Sequence, residues 1–236
     1  MTRLTEQDIK AIFARLNAIY TDSHFVYTSG KHGPHYVDKD SVGLDPETTH
    51  HLAYELAQRL CEQQIGAGGE EIIAVVGAPM GAIRLADSVA YWINKLFPRD
   101  NGVKVRSIYA DKDGDGLVIR RGFPKVFELG LGRGAFLIED ILNTGKSAAQ
   151  LRDAVERAGG VPCRLGALCN RGGNTAQSLG VPGLVSLLDL AFEAFTVEEM
   201  PDWLKRRPVR TDLGHGAKWL ETESNRALAE EWLRGQ

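Results

Sequence analysis

Short apolar runs alternate along the chain with stretches in which apolar residues recur every three or four positions. The apolar runs predict strands at residues 72–76, 105–110, 135–138, 165–169 and 184–188. The periodic stretches predict helices over residues 5–20, after Asp45-Pro46, from Ile83 to Ile93, over 147–158 and over 221–234. This alternation predicts an α/β fold with a mostly parallel central sheet flanked by helices. Ligands of such sheets bind at the carboxyl ends of the strands, so we expect the site there.

Composition narrows the class of protein. The 236 residues are 43% hydrophobic and carry a formal net charge of −3, which suits a single globular domain and disfavours a nucleic-acid partner. No apolar run approaches the ~18 residues of a membrane span, and the polar start MTRLTEQDIK does not resemble a signal peptide. Three cysteines without a CxxC pair indicate neither a disulfide framework nor a zinc site. We therefore expect a cytoplasmic protein with no membrane partner.

The most informative segment runs from residue 135 to residue 147. A buried strand leads into two adjacent carboxylates, Glu139 and Asp140, and a short polar loop then opens a helix. The backbone N–H groups of this loop, the hydroxyls of Thr144 and Ser147 and the helix dipole suit a phosphate. The carboxylates are good acceptors for sugar hydroxyls. Together these groups describe a site for a ribose 5-phosphate.

Two other interpretations of this segment compete with a ribose 5-phosphate site. A nucleotide-binding P-loop needs a glycine five residues before Gly145, where this chain has Asp140. The acid pair could also be only a strand end followed by a helix cap, and that alternative stays open at this point.

Residues 139–147 resemble the 5-phosphoribosyl 1-pyrophosphate (PRPP) binding motif of type I phosphoribosyltransferases. Asn143 stands where that motif usually has Thr or Ser. The resemblance implies that the two acids hold the ribose hydroxyls and that Thr144 to Ser147 hold the 5′-phosphate. The implied PRPP-binding residues of this segment are Glu139, Asp140, Asn143, Thr144, Gly145, Lys146 and Ser147.

Residues 25–38 are similar to the amino-terminal motif of the orotate phosphoribosyltransferases. This resemblance places Tyr36 and Val37 at the base and residues 29–31, with Lys31, near the pyrophosphate. Thr28 occupies a position where that family commonly has lysine, and Lys31 or Lys39 is the expected substitute. The alternative is a glycine-rich hairpin with solvated basic residues.

Two further loops extend the resemblance. Residues 76–82 resemble the family's pyrophosphate loop and assign Ala78, Met80 and Gly81 to PRPP, although some orotate enzymes have lysine in place of Gly81. Small residues there allow backbone amides to approach a diphosphate, but a tight strand-to-helix turn would look the same. Arg171 follows a predicted strand and matches the family's arginine for the carboxylate of the base. The planar guanidinium suits that task, while a solvated surface arginine is the alternative.

Residues 110–134 are glycine-rich and highly charged. A loop of this length in a compact domain is usually a lid or binding loop, and a flexible solvated hairpin is the alternative. The resemblance implies a mobile catalytic loop, whose cations Lys112, Arg120 and Arg121 would stabilise the pyrophosphate as a set. Asp111 replaces an arginine of the best-known members.

The resemblance covers about residues 20–195 of one domain spanning residues 1–236, with a C-terminal helical extension over about 199–236. It implies the type I phosphoribosyltransferase fold with a small hood from N-terminal segments, in a homodimer. The implied reaction joins PRPP and orotate to give orotidine 5′-phosphate and pyrophosphate. Mg²⁺ is the implied cofactor, held mainly through the substrate, and no residue is assigned to the metal. A transferase for another base and a non-catalytic PRPP-sensing or RNA-binding regulator stay open.

Overall fold

A computed structural model describes residues 3–64, 71–100, 102–120, 125–128 and 134–234. In chain order its elements are α1 (Glu6–Arg15), β1 (Ile19–Tyr20), β2 (Phe25–Val26), β3 (His32–Gly33), β4 (Tyr36–Val37), α2 (Lys39–Gly43), α3 (Pro46–Gln64), β5 (Ile72–Gly77), α4 (Ile83–Leu96), β6 (Arg106–Tyr109), β7 (Asp111–Asp113), β8 (Gly116–Val118), α5 (Lys125–Glu128), β9 (Gly134–Leu142), α6 (Lys146–Arg157), β10 (Val161–Asn170), α7 (Ala176–Leu179), β11 (Leu184–Asp189), α8 (Asp202–Lys205), α9 (Gly216–Trp219) and α10 (Glu223–Arg234). They fall into two compact units, one of Met1–Ile12 with Val42–Leu190 and the other of Phe13–Ser41 with Ala191–Gln236.

The larger unit contains a five-stranded sheet in the order β11-β10-β9-β5-β6. All neighbouring pairs in it are parallel. The predicted α/β class with a parallel central sheet is therefore confirmed. Every residue of β5 and nearly every residue of β9 is buried, as expected for strands that are covered on both faces.

Helices cover this sheet. α4 follows β5 and packs on β5 and β6, while α6 follows β9 and packs on β9 and β10. α3 packs on α4. Since right-handed crossovers that run in opposite directions along a sheet place their helices on opposite faces, α4 and α6 lie on different sides of it. The buried face of α4, with Leu85, Val89 and Ile93, shows the spacing that predicted the helix.

The smaller unit is built from both ends of the chain. It contains two antiparallel strand pairs, β1 with β4 and β2 with β3. The C-terminal segment joins them through isolated bridges from His24 to Val209 and from His32 to Phe195. The predicted C-terminal helix is confirmed as α10, and α8 and α9 precede it.

A buried histidine pair lies in the smaller unit. His24 and His32 are both 0% exposed, and His24 Nε2 lies 2.8 Å from His32 Nδ1. His24 Nδ1 lies 3.0 Å from the Arg207 carbonyl oxygen. Because a carbonyl only accepts, Nδ1 of His24 carries the proton and His32 Nδ1 donates to His24 Nε2. The C-terminal helices cover the pair with Trp219 and Trp232, whose rings stack at 5.8 Å.

The first helix and the charged segment over residues 110–134 differ from what the sequence predicts. The helix expected over residues 5–20 ends at Arg15, because Asn17 has φ of +50° and Ala18 begins a path into β1. Residues 110–134 do not form one long loop, since they include the β7–β8 hairpin and the short helix α5. Among the described helices, none combines the length and apolar character needed to cross a membrane.

Candidate active site

The predicted acid pair lies in the part of β9 that extends beyond the end of its neighbour β5. β5 pairs with β9 only as far as Gly77 opposite Ile138, whereas β10 pairs with β9 through Leu142. Glu139 and Asp140 therefore lie within β9, just beyond the end of β5, and are only 6% and 8% exposed. β9 extends four residues past the predicted strand end, so the acids are held by the rigid sheet and not by a loop.

The end of β9 is also the switch point of the sheet. The connection after β5 leads to β6 on one side, and the connection after β9 leads to β10 on the other. Such a point opens a crevice between two diverging loops, and parallel sheets bind ligands in it. In this unit those loops are residues 78–82 and 143–145.

The loop after β9 has a backbone that only glycine fits well. Gly145 has φ of +76° and precedes α6. A Cβ there would lie 2.7 Å from Asn174 Oδ1 and would collide with Leu179. The side chains of Asn143, Thr144, Lys146 and Ser147 are exposed around it. The loop is thus a polar turn at a helix N-terminus, as the ribose 5-phosphate interpretation predicts.

We expect Gly145→Ala to destabilise the protein by about 2–4 kcal/mol, because left-handed strain adds to the collision. Gly159→Ala is the matched control, since Gly159 has φ of +88° at the other end of α6 and a Cβ there would meet nothing within 4 Å. It should cost only about 1–2 kcal/mol. Chemical denaturation measures both, and equal losses would contradict the packing role of Gly145.

The segment after β10 braces this loop. Asn174 Nδ2 donates to the Asn143 carbonyl at 2.8 Å, and the backbone N–H groups of Arg171 and Gly172 donate to the Leu142 carbonyl at 2.8 and 3.1 Å. A Cβ on Gly172 would overlap the Asn143 carbonyl. The structure therefore brings Arg171 beside the predicted phosphate loop. Asn174 and Gly172 were missed by sequence reasoning, and the Asn-Arg-Gly-Gly-Asn run at a strand end was the available signal.

The predicted pyrophosphate loop follows β5. The backbone N–H of Ala78 donates to the Ile138 carbonyl at 3.0 Å, which attaches the loop to the residue directly before the acid pair. Ala78 is buried, whereas Gly81 is exposed and the Met80 side chain is 81% exposed. The structure thus brings Ala78, the acid pair, the predicted phosphate loop and Arg171 together at the carboxyl end of the sheet.

Two of the three cations predicted for the lid, Lys112 and Arg120, are among the described residues. Lys112 is exposed on β7, and Arg120 forms an ion pair with Asp113 at 2.6 Å. The β7–β8 hairpin contacts α6, because Gln150 donates to the Asp115 carbonyl and Arg157 donates to the Leu117 carbonyl at 2.7 Å. Arg121 lies outside the described residues.

The remaining predicted contacts lie in the smaller unit. Lys31 is exposed next to the turn between β2 and β3. Tyr36 is half-buried on β4 and stacks on Phe25 with ring centroids 5.3 Å apart. Val37 is buried opposite Ile19. Residues 25–33, within the predicted amino-terminal motif, form the β2–β3 hairpin.

Within the described residues, no group of three or more His, Cys, Asp or Glu side chains could hold a resident metal ion. The carboxylates of Glu139 and Asp140 are oxygen donors, which is the chemistry that Mg²⁺ prefers. Two carboxylates fit a Mg²⁺ ion that takes its other ligands from substrate and water.

Sequence comparison finds relatives of this chain over most of its length. No family model matches the chain. The orotate phosphoribosyltransferase of Caulobacter vibrioides is 30% identical over 206 residues, which are 87% of this chain and 95% of that protein. That of Erythrobacter litoralis is 30% identical over 215 residues, which are 91% of this chain and 100% of that protein.

Solved structures agree in fold. The orotate phosphoribosyltransferase from Aeropyrum pernix has a TM-score of 0.54 at 18% identity, covering 77% of this chain and 93% of that one. Adenine phosphoribosyltransferase from Saccharomyces cerevisiae has a TM-score of 0.52 at 16% identity, covering 78% and 98%. The fold is that of the type I phosphoribosyltransferases. Within that class, the chain belongs to the orotate phosphoribosyltransferase family.

Proposed function

We propose that this protein is an orotate phosphoribosyltransferase, which transfers the 5-phosphoribosyl group from PRPP to orotate and releases pyrophosphate. One observation carries the proposal. The buried carboxylates of Glu139 and Asp140 lie in the part of β9 that extends beyond β5. They are followed by a polar loop that requires Gly145 and opens into the N-terminus of α6. That pairing suits a sugar diol at the acids and a phosphate at the loop.

The arrangement suggests how the chain acts in the reaction. Positive charge develops on the ribose as the bond to pyrophosphate breaks, and the carboxylates of Glu139 and Asp140 can offset it. The sheet holds them in place, so little reorganisation is needed during the reaction. The exposed cations Lys112 and Arg120 are proposed to stabilise the departing pyrophosphate, which for Arg120 requires release from Asp113.

Mg²⁺ is part of the proposal as a cofactor that arrives with PRPP. When bound, it would neutralise diphosphate charge. Glu139 and Asp140 are the residues of this chain placed to contact it, directly or through water. A homodimer, which the family resemblance supports, and a cytoplasmic location, which the composition favours, also belong to the proposal.

The test is pyrophosphate release with PRPP, Mg²⁺ and a panel of free bases, namely orotate, uracil, adenine, guanine and hypoxanthine. Turnover with orotate and little with the others is expected. Turnover only with another base would move the protein to a different acceptor, and PRPP binding without turnover on any base would favour a sensor.

Arg171 is the proposed partner of the orotate carboxylate. We expect Arg171→Ala to raise the KM for orotate by about 10- to 100-fold, because a hydrogen bond to a charged group contributes about 1.5–3 kcal/mol. The KM for PRPP should change far less. Steady-state assays with each substrate varied in turn measure the split, and equal effects on both substrates would contradict this role. Arg152→Ala is the matched control. It also removes an arginine, but the guanidinium of Arg152 donates to the Leu179 carbonyl and to Asp153 on α6, so the KM for orotate should not rise in this variant.

A further inference from the structure

Two asparagines of the larger unit, Asn170 and Asn174, connect the end of β10 to the loop after β9. Asn170 is the last residue of β10 and is only 6% exposed. The sheet holds it on both sides, because it pairs with Leu142 of β9 and with Asp189 of β11. Asn174 donates from Nδ2 to the Asn143 carbonyl at 2.8 Å. The asparagine pair, Asn170 and Asn174, therefore leads from the rigid sheet to the polar loop.

The asparagine pair also closes the turn that carries Arg171. Asn170 Nδ2 donates to the Asn174 carbonyl at 2.9 Å, and the backbone N–H of Asn174 donates to Asn170 Oδ1 at 3.0 Å. Asn174 Nδ2 lies 3.2 Å from the same Asn170 oxygen. Because one side-chain amide both donates to and accepts from the backbone of residue 174, the turn over residues 170–174 is held in one shape.

This turn is attached to the end of β9 and its loop at two consecutive carbonyls. The Asn174 amide binds the carbonyl of Asn143. The backbone N–H groups of Arg171 and Gly172 donate to the carbonyl of Leu142, at 2.8 and 3.1 Å. The backbone that carries Arg171 and the backbone that opens the predicted phosphate loop are thus joined directly, without an intervening flexible segment.

Two different substrates are proposed to bind on the two sides of this connection. The loop over residues 143–147 is the proposed site of the 5′-phosphate of PRPP, and Arg171 is the proposed partner of the orotate carboxylate. The spacing between these two anchors sets how closely the base nitrogen approaches the ribose carbon. A displacement of about 1 Å between reacting groups can lower the rate about 100-fold. The connection is therefore placed where it affects the transfer step.

We propose that Asn174 is a positioning residue for the transfer step, which fixes the spacing between Arg171 and the predicted phosphate loop so that base and ribose meet in reactive geometry. This inference rests on the proposed function. Asn174 is assigned no contact with either substrate. Its loss should therefore slow the transfer more than it weakens the binding of PRPP or orotate.

The test is the single-turnover rate of Asn174→Ala, with enzyme in excess over PRPP and orotate saturating. This variant removes the donor to the Asn143 carbonyl and adds no charge near the phosphate site. We expect the rate to fall about tenfold or more. The Kd for PRPP, measured by titration calorimetry, and the KM for orotate should each change less than about threefold.

Asn174→Gln is the conservative variant, because it keeps a carboxamide that can donate to the same carbonyl. It should recover most of the lost rate. Gln177→Ala is the matched control, since it removes another carboxamide from an exposed position of the same segment, on α7. It should match the wild type in rate and in both affinities.

Urea denaturation reports whether Asn174→Ala is folded under the assay conditions, and Asn174→Ser, whose hydroxyl is one bond shorter than the carboxamide, replaces it if it is not. An unchanged single-turnover rate, a rise in the Kd for PRPP as large as the fall in rate, or an equal loss in Asn174→Gln would overturn the role of Asn174 while the wild type remains active on orotate. A wild type that turns over no orotate would overturn the proposed function and this inference with it.

Discussion

The double variant Glu139→Gln, Asp140→Asn is expected to lose PRPP binding while the fold survives. Both replacements keep the size of the side chain, and the surrounding strand pairing of β9 with β10 involves backbone groups only. Each carboxylate that holds a sugar hydroxyl contributes about 1.5–3 kcal/mol, so the Kd for PRPP should rise at least about 100-fold. Titration calorimetry with PRPP and Mg²⁺ measures this directly.

The matched control is Glu156→Gln on α6, which makes the same carboxylate-to-amide change at an exposed position of the same unit. It should bind PRPP like the wild type. The denaturation midpoint of the double variant should stay close to that of the wild type. If the double variant keeps its affinity, the assignment of β9 to the ribose is wrong.

The buried histidine pair makes stability depend on pH. Burial, together with the neighbouring His24, lowers the pKa of His32 from 6.5 to about 4. Burial also lowers the pKa of His24, against a smaller opposing effect of the Arg207 carbonyl. The unfolded chain therefore binds more protons than the folded chain between pH 6.5 and about 4. Stability is full above pH 6.5 and is lost as the pH falls through that window, by about 3 kcal/mol for His32 alone.

Urea denaturation at a series of pH values between 7.5 and 4 tests this, with tryptophan fluorescence as the probe because Trp219 and Trp232 cover the pair. His32→Phe should flatten the pH dependence, although it lowers stability at neutral pH by leaving His24 Nε2 without its donor. Thr211→Ala, at an exposed position of the same unit that carries no titratable group, should keep the wild-type slope. A wild-type stability that is constant down to pH 4 would refute the neutral, buried state of the pair.

The parts of the fold that follow local pattern could be predicted from the sequence. The five strands of the sheet, the helices α3, α4 and α6 and the acid–loop–helix unit all lie where hydrophobic spacing and turn residues placed them. The strand β9 was predicted too short because two acids have low strand propensity. The sheet overrides that propensity, since β10 continues to pair with residues 139–142.

What could not be predicted depends on residues that are distant in sequence. Asn174 braces the loop of Asn143, and His24 meets His32 beneath Trp219 and Trp232, but no periodicity marks such contacts. The β7–β8 hairpin is a different case, because a hairpin was the alternative to a lid for residues 110–134. Its two-residue turn, Gly114-Asp115, has φ of +56° at Gly114 and is a local hairpin signal, but the length of the charged segment had favoured a single loop instead.

The smaller unit, assembled from residues 13–41 and 191–236, has a consequence for biosynthesis. A nascent chain emerges from the ribosome N-terminus first, so the β2–β3 hairpin is made long before the segment that pairs with it. Until Val209, Trp219 and Trp232 follow, His24 and His32 lack their cover. A polypeptide that ends at Leu190 would therefore expose apolar surface near its N-terminus. Chaperones and proteases would be expected to bind that surface.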